Sequence, residues 1–424
     1  MRIAVIGGGA SGMVAAYRLD QQGHHVTVWE RQPMLGGHIR TLNKNVEPNQ
    51  AACDEVLENG VLEFPTKFHN FIALMQELGV ELEPVCLGSA LFFKDGRYFL
   101  SGVMIQKNFT GLHRLAEHLR LDAFYFRGMG LWMKLRFAKD QDFCDQPMSK
   151  HLQRSSPQNN WLKLLTMYSY SMPFEAIADF PAALAIPILR DYVFVDWVRI
   201  KGGVYSYIEK ILEQFHGEVK LNADIAQITR SESGVTIKDT QGQDYTYDKV
   251  IFATPPDQVL ALLSDPTPAE TRRFSAWKSN HVRTLLHTDT SMYTRYGIRS
   301  LAEFDFFQTE HSWGYNAYLN QLCGIQSSQP YNLAFQLEEY IASDRIIHIQ
   351  QHHTPLYTVE AFHYRDEMLS TNGENHTYHA GAYLGDGLHE GAVTAGLQVA
   401  ELIRQGHATI HKPTTTMQTT VGLS

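Results

Sequence analysis

Charge is what this 424-residue chain has least of: Asp, Glu, Lys and Arg together make up 19% of it, below the usual quarter, while hydrophobic residues make up 44%. An unusual share of the surface, or of an internal cavity, must therefore be uncharged. The charge that is present is net acidic, −9 with a pI near 6.1. Binding through phosphates needs clustered Lys and Arg to displace counterions, so this balance argues against nucleic acid as a partner. Cysteine is scarce as well. Cys53, Cys86, Cys144 and Cys323 stand apart without CxxC or CxxH spacing, which suggests neither a disulfide framework nor a zinc site and fits a reducing, cytoplasmic compartment. Long hydrophobic runs are missing: the densest, FPAALAIPIL from Phe180, contains Pro181 and Pro187 and is about half the ~20 residues needed to span a bilayer. No secretory leader is expected, because Met1-Arg2 runs straight into a strand and a glycine turn. At roughly 100–200 residues per domain, the length allows two or three domains or one interleaved pair.

What the chain does have, at its start, is glycine in register. Ile3 to Ile6 (IAVI) is a branched apolar run ended by Gly7-Gly8-Gly9, the pattern of a buried parallel strand entering a tight turn. Ala10 to Gln22 has helix formers at helical period, Gly23 stops it, and HHVTVWE from His24 to Glu30 alternates as a second strand. In Gly7-Gly8-Gly9-Ala10-Ser11-Gly12, the first glycine of the GxGxxG pattern permits the turn and Gly9 lets the backbone approach a pyrophosphate. Gly12 allows close helix–strand packing, and the helix N-terminus favours phosphate charge. Glu30 stands eighteen residues past Gly12, placed to accept hydrogen bonds from ribose hydroxyls. The unit predicts dinucleotide binding, with FAD or NAD favoured over NADP because Glu30 repels a 2′-phosphate, although Arg31 beside it offsets part of that repulsion.

Further along, FHNFIALMQEL from Phe68 predicts a helix closed by Gly79. Residues from about Leu87 to Val198 are rich in Phe, Tyr, Trp, Leu and Met and read as a largely helical inserted lobe. After Gly202-Gly203 come an amphipathic helix, YSYIEKILEQF, and short strands in VKLNADIAQI, GVTIKD and YTYDKVIFAT. HAGAYLG predicts a last strand, a helix follows from near Glu390, and a threonine-rich tail after Pro413 is expected to fray.

After Glu30, ERQPMLGGHIRT offers Gly36-Gly37 as a second close backbone approach, with Arg31 and Arg40 as positive charge. Here the sequence resembles the flavin-containing amine oxidase superfamily, which also includes protoporphyrinogen oxidase and phytoene desaturase-like enzymes. The resemblance continues at ENGVLEFPTKF, DWVRIKGGVYSYIEKI, KVIFATPPDQ and GAYLGDGLHEGAVTAGLQVAE, in the family's order. With GGH at Gly37 and LLHTDTSM at Leu285 to Met292, it is most similar to a bacterial branch of FAD-dependent oxidoreductases whose substrates are mostly undefined.

The resemblance implies an α/β fold. A Rossmann-like FAD-binding domain with a parallel sheet (residues 1–86, 200–265 and 370–412) would be interleaved with a substrate domain (87–199 and 266–369) holding a mixed sheet and the helical insert, with a flexible tail at 413–424. It implies that Gly7, Gly9, Ala10, Ser11, Gly12, Glu30, Arg31, Gly36, Gly37 and His38 hold the ADP half and pyrophosphate. Ile225 would meet adenine through its backbone, and Ala253 of the ATPP segment joins the cofactor set. Gly60, Val61 and Leu62, with Gly385, Asp386, Glu390, Gly391, Ala392 and Val393, would flank the isoalloxazine and ribityl chain. A helix N-terminus near Gly391 would face the flavin edge where negative charge collects on reduction.

Two departures stand out. The family's lysine near flavin N5 falls on Arg283, which keeps its charge and is a poor base. The family's C-terminal acidic residue falls on Tyr383, with Asp386 three residues later able to take that role. Arg283 and His389 are the catalytic candidates beside the flavin itself. Seven of the twenty histidines lie between His348 and His389, but adjacent His352 and His353 cannot easily share one ion and no carboxylate or cysteine stands at a matching spacing, so no metal is expected. The stripes Phe124 to Phe137 and Trp161 to Phe174 read as helical core. Their basic residues also suit peripheral contact with a membrane or an anionic lipid head. Tyr168, Tyr170 and Trp313 are candidate substrate-pocket walls. The expected function is hydride abstraction onto flavin N5 from a C–H bond of a mainly apolar, lipophilic substrate, of desaturase or double-bond isomerase type. The alternatives are a flavin amine oxidase using oxygen, an NAD-dependent dehydrogenase and a non-catalytic flavoprotein.

Overall fold

The structure, a computed structural model, describes residues 1–49, 53–153, 156–192, 194–301 and 303–410; the threonine-rich tail at 413–424 lies outside the described residues. Arg2–Ile6, Ala10–Gln21 and His25–Trp29 form the expected strand–helix–strand unit. Its strands sit at the centre of a five-stranded parallel sheet ordered Thr377–His379, Lys249–Phe252, Arg2–Ile6, His25–Trp29, Glu218–Lys220. Both faces are covered, which is why the first strand reads as an unbroken apolar run. Ile3 and Val5 pack with Met13, Val14 and Val393 of the helices Ala10–Gln21 and His389–Ile410. Ala4 and Ile6 face the other way, into a core shared with Val235 and Ile237 of a three-stranded meander. Each fully buried Val or Ile here contributes about 1.5–3 kcal/mol.

The second sheet has seven strands, ordered Ile346–Leu356, Lys278–His287, Asn332–Phe335, Trp313–Tyr318, Phe304–Gln308, Ser89–Phe92, Tyr98–Phe99. It is mixed: Phe304–Gln308 runs parallel to Ser89–Phe92, and the other pairs are antiparallel. The chain is therefore an α/β protein in which a parallel-sheet half and a mixed-sheet half thread through one another.

Three sequence expectations are corrected. The lobe from Leu87 is not helical at its start, because Ser89–Phe92 and Tyr98–Phe99 form a hairpin around a turn at Gly96 (φ 89°); aromatic richness there reflects sheet faces rather than a helix stripe. YTYDKVIFAT is two strands in two sheets, Asp244–Tyr247 and Lys249–Phe252. They break at Asp248, whose carboxylate accepts the Arg2 backbone N–H at 2.6 Å. The last strand is Thr377–His379, and Ala382–Leu384 is a single 3₁₀ turn that follows Gly381. The lobe proper is built from helices Gly111–Phe137, Pro157–Tyr170 and Ala182–Asp191. Among the described residues, no helix is long and apolar enough to cross a membrane.

Candidate functional site

Two glycine loops meet at the C-terminal ends of the parallel strands. Gly7 donates its N–H to Trp29 O at 2.8 Å; its φ of 106° and the 2.6 Å that would separate a Cβ from Ala253 O exclude any side chain. Gly12 is equally constrained, since a Cβ would run into Gly7 O. The second loop closes on the first: Gly36 N–H donates to Gly8 O at 2.8 Å, and a Cβ on Gly37 would lie 3.0 Å from Gly9 Cα. Gly7, Gly9, Gly36, Gly37 and Ala253 are thus brought together, with Ala10 and Ser11 opening the helix beside them.

Glu30 is buried at the rim, where one carboxylate oxygen accepts Gly8 N–H and the other Gln32 N–H, both at 2.8 Å. The segment before Ile225 comes against it, Ala223 N–H donating to Glu30 O at 3.0 Å. Arg31 is exposed. Arg40 is only 8% exposed; among the described residues no carboxylate forms a direct ion pair with it, although the Glu30 carboxylate acts on it through space. A buried guanidinium without a direct ion pair is costly, and burial lowers its pKa, so Arg40 has the character of an anion-binding position. The sequence flagged its charge without placing it in the site.

Glu58 ties three of the resembling segments together. It accepts Thr41 Oγ1–H at 2.9 Å and Val204 N–H at 2.6 Å, while Thr41 Oγ1 accepts Tyr205 N–H at 3.2 Å. Burial pushes its carboxyl up to about 8. Next to it, fully buried Asn59 accepts Thr284 Oγ1–H at 2.7 Å, and Thr284 Oγ1 also bonds His352 Nε2 at 2.9 Å. Asn59 Nδ2 is buried without a hydrogen-bond partner among the described residues. Gly60 is pressed on by His38, whose carbonyl a Cβ would strike, and lies against His352 Cε1; His38 Nε2–H donates to His353 O at 2.8 Å. Burial drives His352 down to about 3, so it is neutral at physiological pH. Asn59, Thr284 and His352 were not among the sequence candidates, and no local pattern marks them, since three distant segments bring them together.

Arg283 is not part of this cluster. Neighbouring strand residues face opposite sides: Val282, Thr284 and Leu286 are buried, while Arg283 is about half exposed and pairs with Glu338 at 3.3 Å. His389 sits at the N-terminus of the helix His389–Ile410, its Nε2 bonded to Tyr207 Oη at 2.9 Å and its ring against Phe64 and Phe71; desolvation lowers it to about 3. It packs among aromatic rings while remaining only partly buried. Glu390 caps a different helix, accepting Asn70 and Phe71 N–H at 2.9 and 2.8 Å. Asp386 Oδ1 accepts Leu388 and Gly391 N–H at 2.9 and 2.8 Å. Its Oδ2 is buried without a partner among the described residues, and burial raises the acid to about 6. Gly385 and Gly391 pack backbone to backbone, a Cβ on the first lying 2.8 Å from the second's Cα; Ala392 and Val393 are buried behind them.

On the lobe side, Tyr168 donates to Glu63 Oε1 at 2.8 Å, one residue past Gly60, Val61 and Leu62, and Tyr170 donates to Asp386 O at 2.8 Å. Tyr168 stacks on Phe304 and meets Tyr315 edge-on. Glu63 Oε2 is buried without a partner among the described residues, and desolvation raises the acid to about 7. Tyr168 and Tyr170 therefore face the segments expected around the ring. Trp313 instead packs on Phe93 and Phe174. Tyr383 is buried against Trp277 and its hydroxyl has no partner among the described residues. Among the described residues, no group of three His, Cys, Asp or Glu could hold a metal ion.

A glycine-lined cradle on a parallel sheet, roofed by a mixed sheet and an aromatic lobe, defines the class: a dinucleotide-binding protein of the interleaved, flavoprotein type. Residues 10–290 match the flavin containing amine oxidoreductase family. The chain belongs to that family, and FAD is the cofactor that membership implies. It is 25% identical over 283 residues to the Mycobacterium tuberculosis protein AofH, which carries the name of a flavin-containing monoamine oxidase, covering 62% of this chain and 59% of that one. It is 23% identical over 258 residues to a 4,4′-diapophytoene desaturase of Staphylococcus haemolyticus, covering 54% and 50%. The match thus spans between half and three fifths of these relatives' length. The crystal structure of a fatty acid isomerase from P. acnes that produces CLA shares the fold, with a TM-score of 0.68 at 16% identity over 95% of this chain and 98% of that one.

Proposed function

We propose that the protein is an FAD-dependent oxidoreductase that takes a hydride from a C–H bond of a mainly apolar substrate, as a desaturase or double-bond isomerase does. The glycine cradle and the buried Arg40, which lacks a direct ion pair among the described residues, fit a bound diphosphate. Gly7, Gly9, Ala10, Ser11, Gly12, Gly36, Gly37 and His38 would hold the ADP half and pyrophosphate, with Glu30 at the ribose and Ile225 at the adenine. Gly60, Val61, Leu62, Gly385, Asp386, Gly391, Ala392 and Val393 would flank the ring. FAD, when bound, supplies the two-electron acceptor.

The observation that carries the choice of substrate is the neutrality of the wall beside Gly60. Thr284, Asn59 and uncharged His352 form one buried, hydrogen-bonded cluster there, while Arg283 is turned out to Glu338. Tyr168 and Tyr170 close the opposite side with aromatic surface, which would exclude water and orient a hydrocarbon. The desaturase among the relatives and the isomerase among the fold neighbours agree with this reading. Two observations favour amine oxidation instead: the name of the monoamine oxidase AofH among the relatives, and the free Oε2 of Glu63, an acceptor for an ammonium. Mixing the purified protein anaerobically with unsaturated fatty acids and phospholipids, or with mono- and polyamines, while following the visible flavin band separates the two. Bleaching by lipids with a product changed in its double bonds supports the proposal. Bleaching by amines alone, with ammonia and peroxide released in air, refutes it.

A further inference from the structure

We propose that the outer face of the lobe helix Gly111–Phe137 is a docking surface for an anionic phospholipid bilayer. This surface lies apart from the cofactor cradle and does not depend on which substrate is oxidised. The helix is apolar on two opposite sides. Its inner side buries Phe124 and Leu135 and packs Leu121 and Leu131. Half a turn away, at 100° per residue, Leu112, Leu115, Leu119, Phe126, Met133 and Phe137 form a stripe along the whole length, from 42% exposed at Met133 to 85% at Leu112. Single exposed apolar residues are ordinary, but a continuous stripe about 40 Å long is the signature of a contact surface.

Charge decides which contact. The chain carries −9 overall, yet this helix holds Arg114, Arg120, Arg127, Lys134 and Arg136 against Glu117 and Asp122; Glu117 is buried, which leaves Asp122 as the helix's one exposed carboxylate, at the border of the stripe. Arg127, Lys134 and Arg136 are exposed at the edges of the stripe, and none has a carboxylate partner among the described residues. Apolar side chains rimmed by free cations match an interface that is apolar inside and anionic at the head groups. A second copy of the same face would bring cation against cation. At the C-terminal end of the helix a groove of about 550 Å³ opens, lined by Lys134, Lys150 and His151 against one carboxylate, Asp142, together with Leu135 and Phe143, a net basic and partly apolar lining suited to a phosphate head and the first carbons of an acyl chain. The inner side of the helix meets Trp161 through Phe124. Trp161 belongs to the helix Pro157–Tyr170 that ends at Tyr168 and Tyr170, so the docked bilayer would lie one helix layer from the site.

The test uses the purified full-length holoprotein, co-sedimented with vesicles of phosphatidylcholine alone or of phosphatidylcholine with phosphatidylglycerol. Binding should require phosphatidylglycerol and be reversed by high salt. F126E/M133E should weaken it at least tenfold and R127E/K134E/R136E roughly a hundredfold, at about fivefold or more for each basic residue changed, with FAD content and melting temperature unchanged in both. Absence of binding to anionic vesicles, or equal binding by wild type and both variants, overturns the proposal. So does a lipid-free dimer that F126E/M133E converts to monomer without any vesicle binding, which would assign the stripe to a second copy.

Discussion

Replacing Gly9 with alanine separates what the fold requires from what a ligand requires. The backbone at Gly9 is ordinary extended chain, φ −77° and ψ −176°, which alanine adopts without strain. The added Cβ would have Gly37 Cα as its nearest neighbour, at 3.6 Å, an ordinary van der Waals contact. Nothing in the protein itself therefore demands glycine there, in contrast to Gly7 and Gly12. Alanine is a poorer helix N-cap than glycine, by about 0.5 kcal/mol, which in a chain of this size moves the melting temperature by about 1 °C. The new methyl would, however, occupy the gap between the two glycine loops where the pyrophosphate is proposed to lie. Forcing a methyl into a filled, close-packed site costs about 1–3 kcal/mol, or roughly five- to 150-fold in Kd. Deflavinated wild type and Gly9→Ala are titrated with FAD by flavin fluorescence, with calorimetry on both apoproteins. The expected result is nearly unchanged apoprotein melting and a weakened FAD complex. Wild-type affinity in the variant would show that no ligand approaches Gly9, and an unfolded apoprotein would show that the fold needs the glycine after all.

Arg40→Gln should lower FAD affinity about tenfold or more while leaving the apoprotein nearly as stable as before, because it removes a charge whose burial outweighs its through-space attraction to Glu30; apoprotein titration and calorimetry read both effects. Thr284→Val keeps the shape but strips Asn59 Oδ1 and His352 Nε2 of their shared partner, at a cost of about 1–3 kcal/mol. Stopped-flow reduction should slow with FAD content retained, and unchanged reduction together with unchanged melting would show the cluster to be idle. Glu58 and Asp305, raised to about 8 by burial, keep protons that the unfolded chain releases, so their stabilisation is full at low pH and lost as pH climbs to about 8. His352 and His389, lowered to about 3, act in the opposite sense, withdrawing stability as pH falls below about 6.5. Apoprotein melting should therefore decline from about pH 6.5 towards 8, and Asp305→Asn, which keeps an acceptor for the Tyr293 hydroxyl 2.7 Å away, should flatten that decline; a flat wild-type profile would contradict the assignment.

The parts of the fold legible in the sequence are those where a local chain requirement selects the residue. Gly12 is dictated by the carbonyl of Gly7, five residues away, and Gly7 by its own positive φ as well as by Ala253 O across the sheet, so strand, turn and helix can all be read around them. Where the requirement comes from across the fold, type and spacing mislead. Arg283 attracted attention by its charge, yet one step along a strand reverses the side chain, and it is the unremarkable Thr284 that faces Asn59, 225 residues distant. His352 reaches the same cluster through the register of Lys278–His287 against Ile346–Leu356, where it lies opposite Val282, and no histidine spacing encodes a register. The lobe shows the same limit from the other direction. The 3.6-residue period of Gly111–Phe137 is equally satisfied by a buried face and by an exposed one, and only the packing of Phe124 and Leu135 shows which is which. The shortage of charge noted in the sequence thus has two separate locations, the aromatic wall around Tyr168 and Tyr170 and the outer stripe from Leu112 to Phe137. The first is closed in by protein, whereas the second is left open, and an apolar surface left open beside unpaired cations calls for a partner that is itself both apolar and anionic.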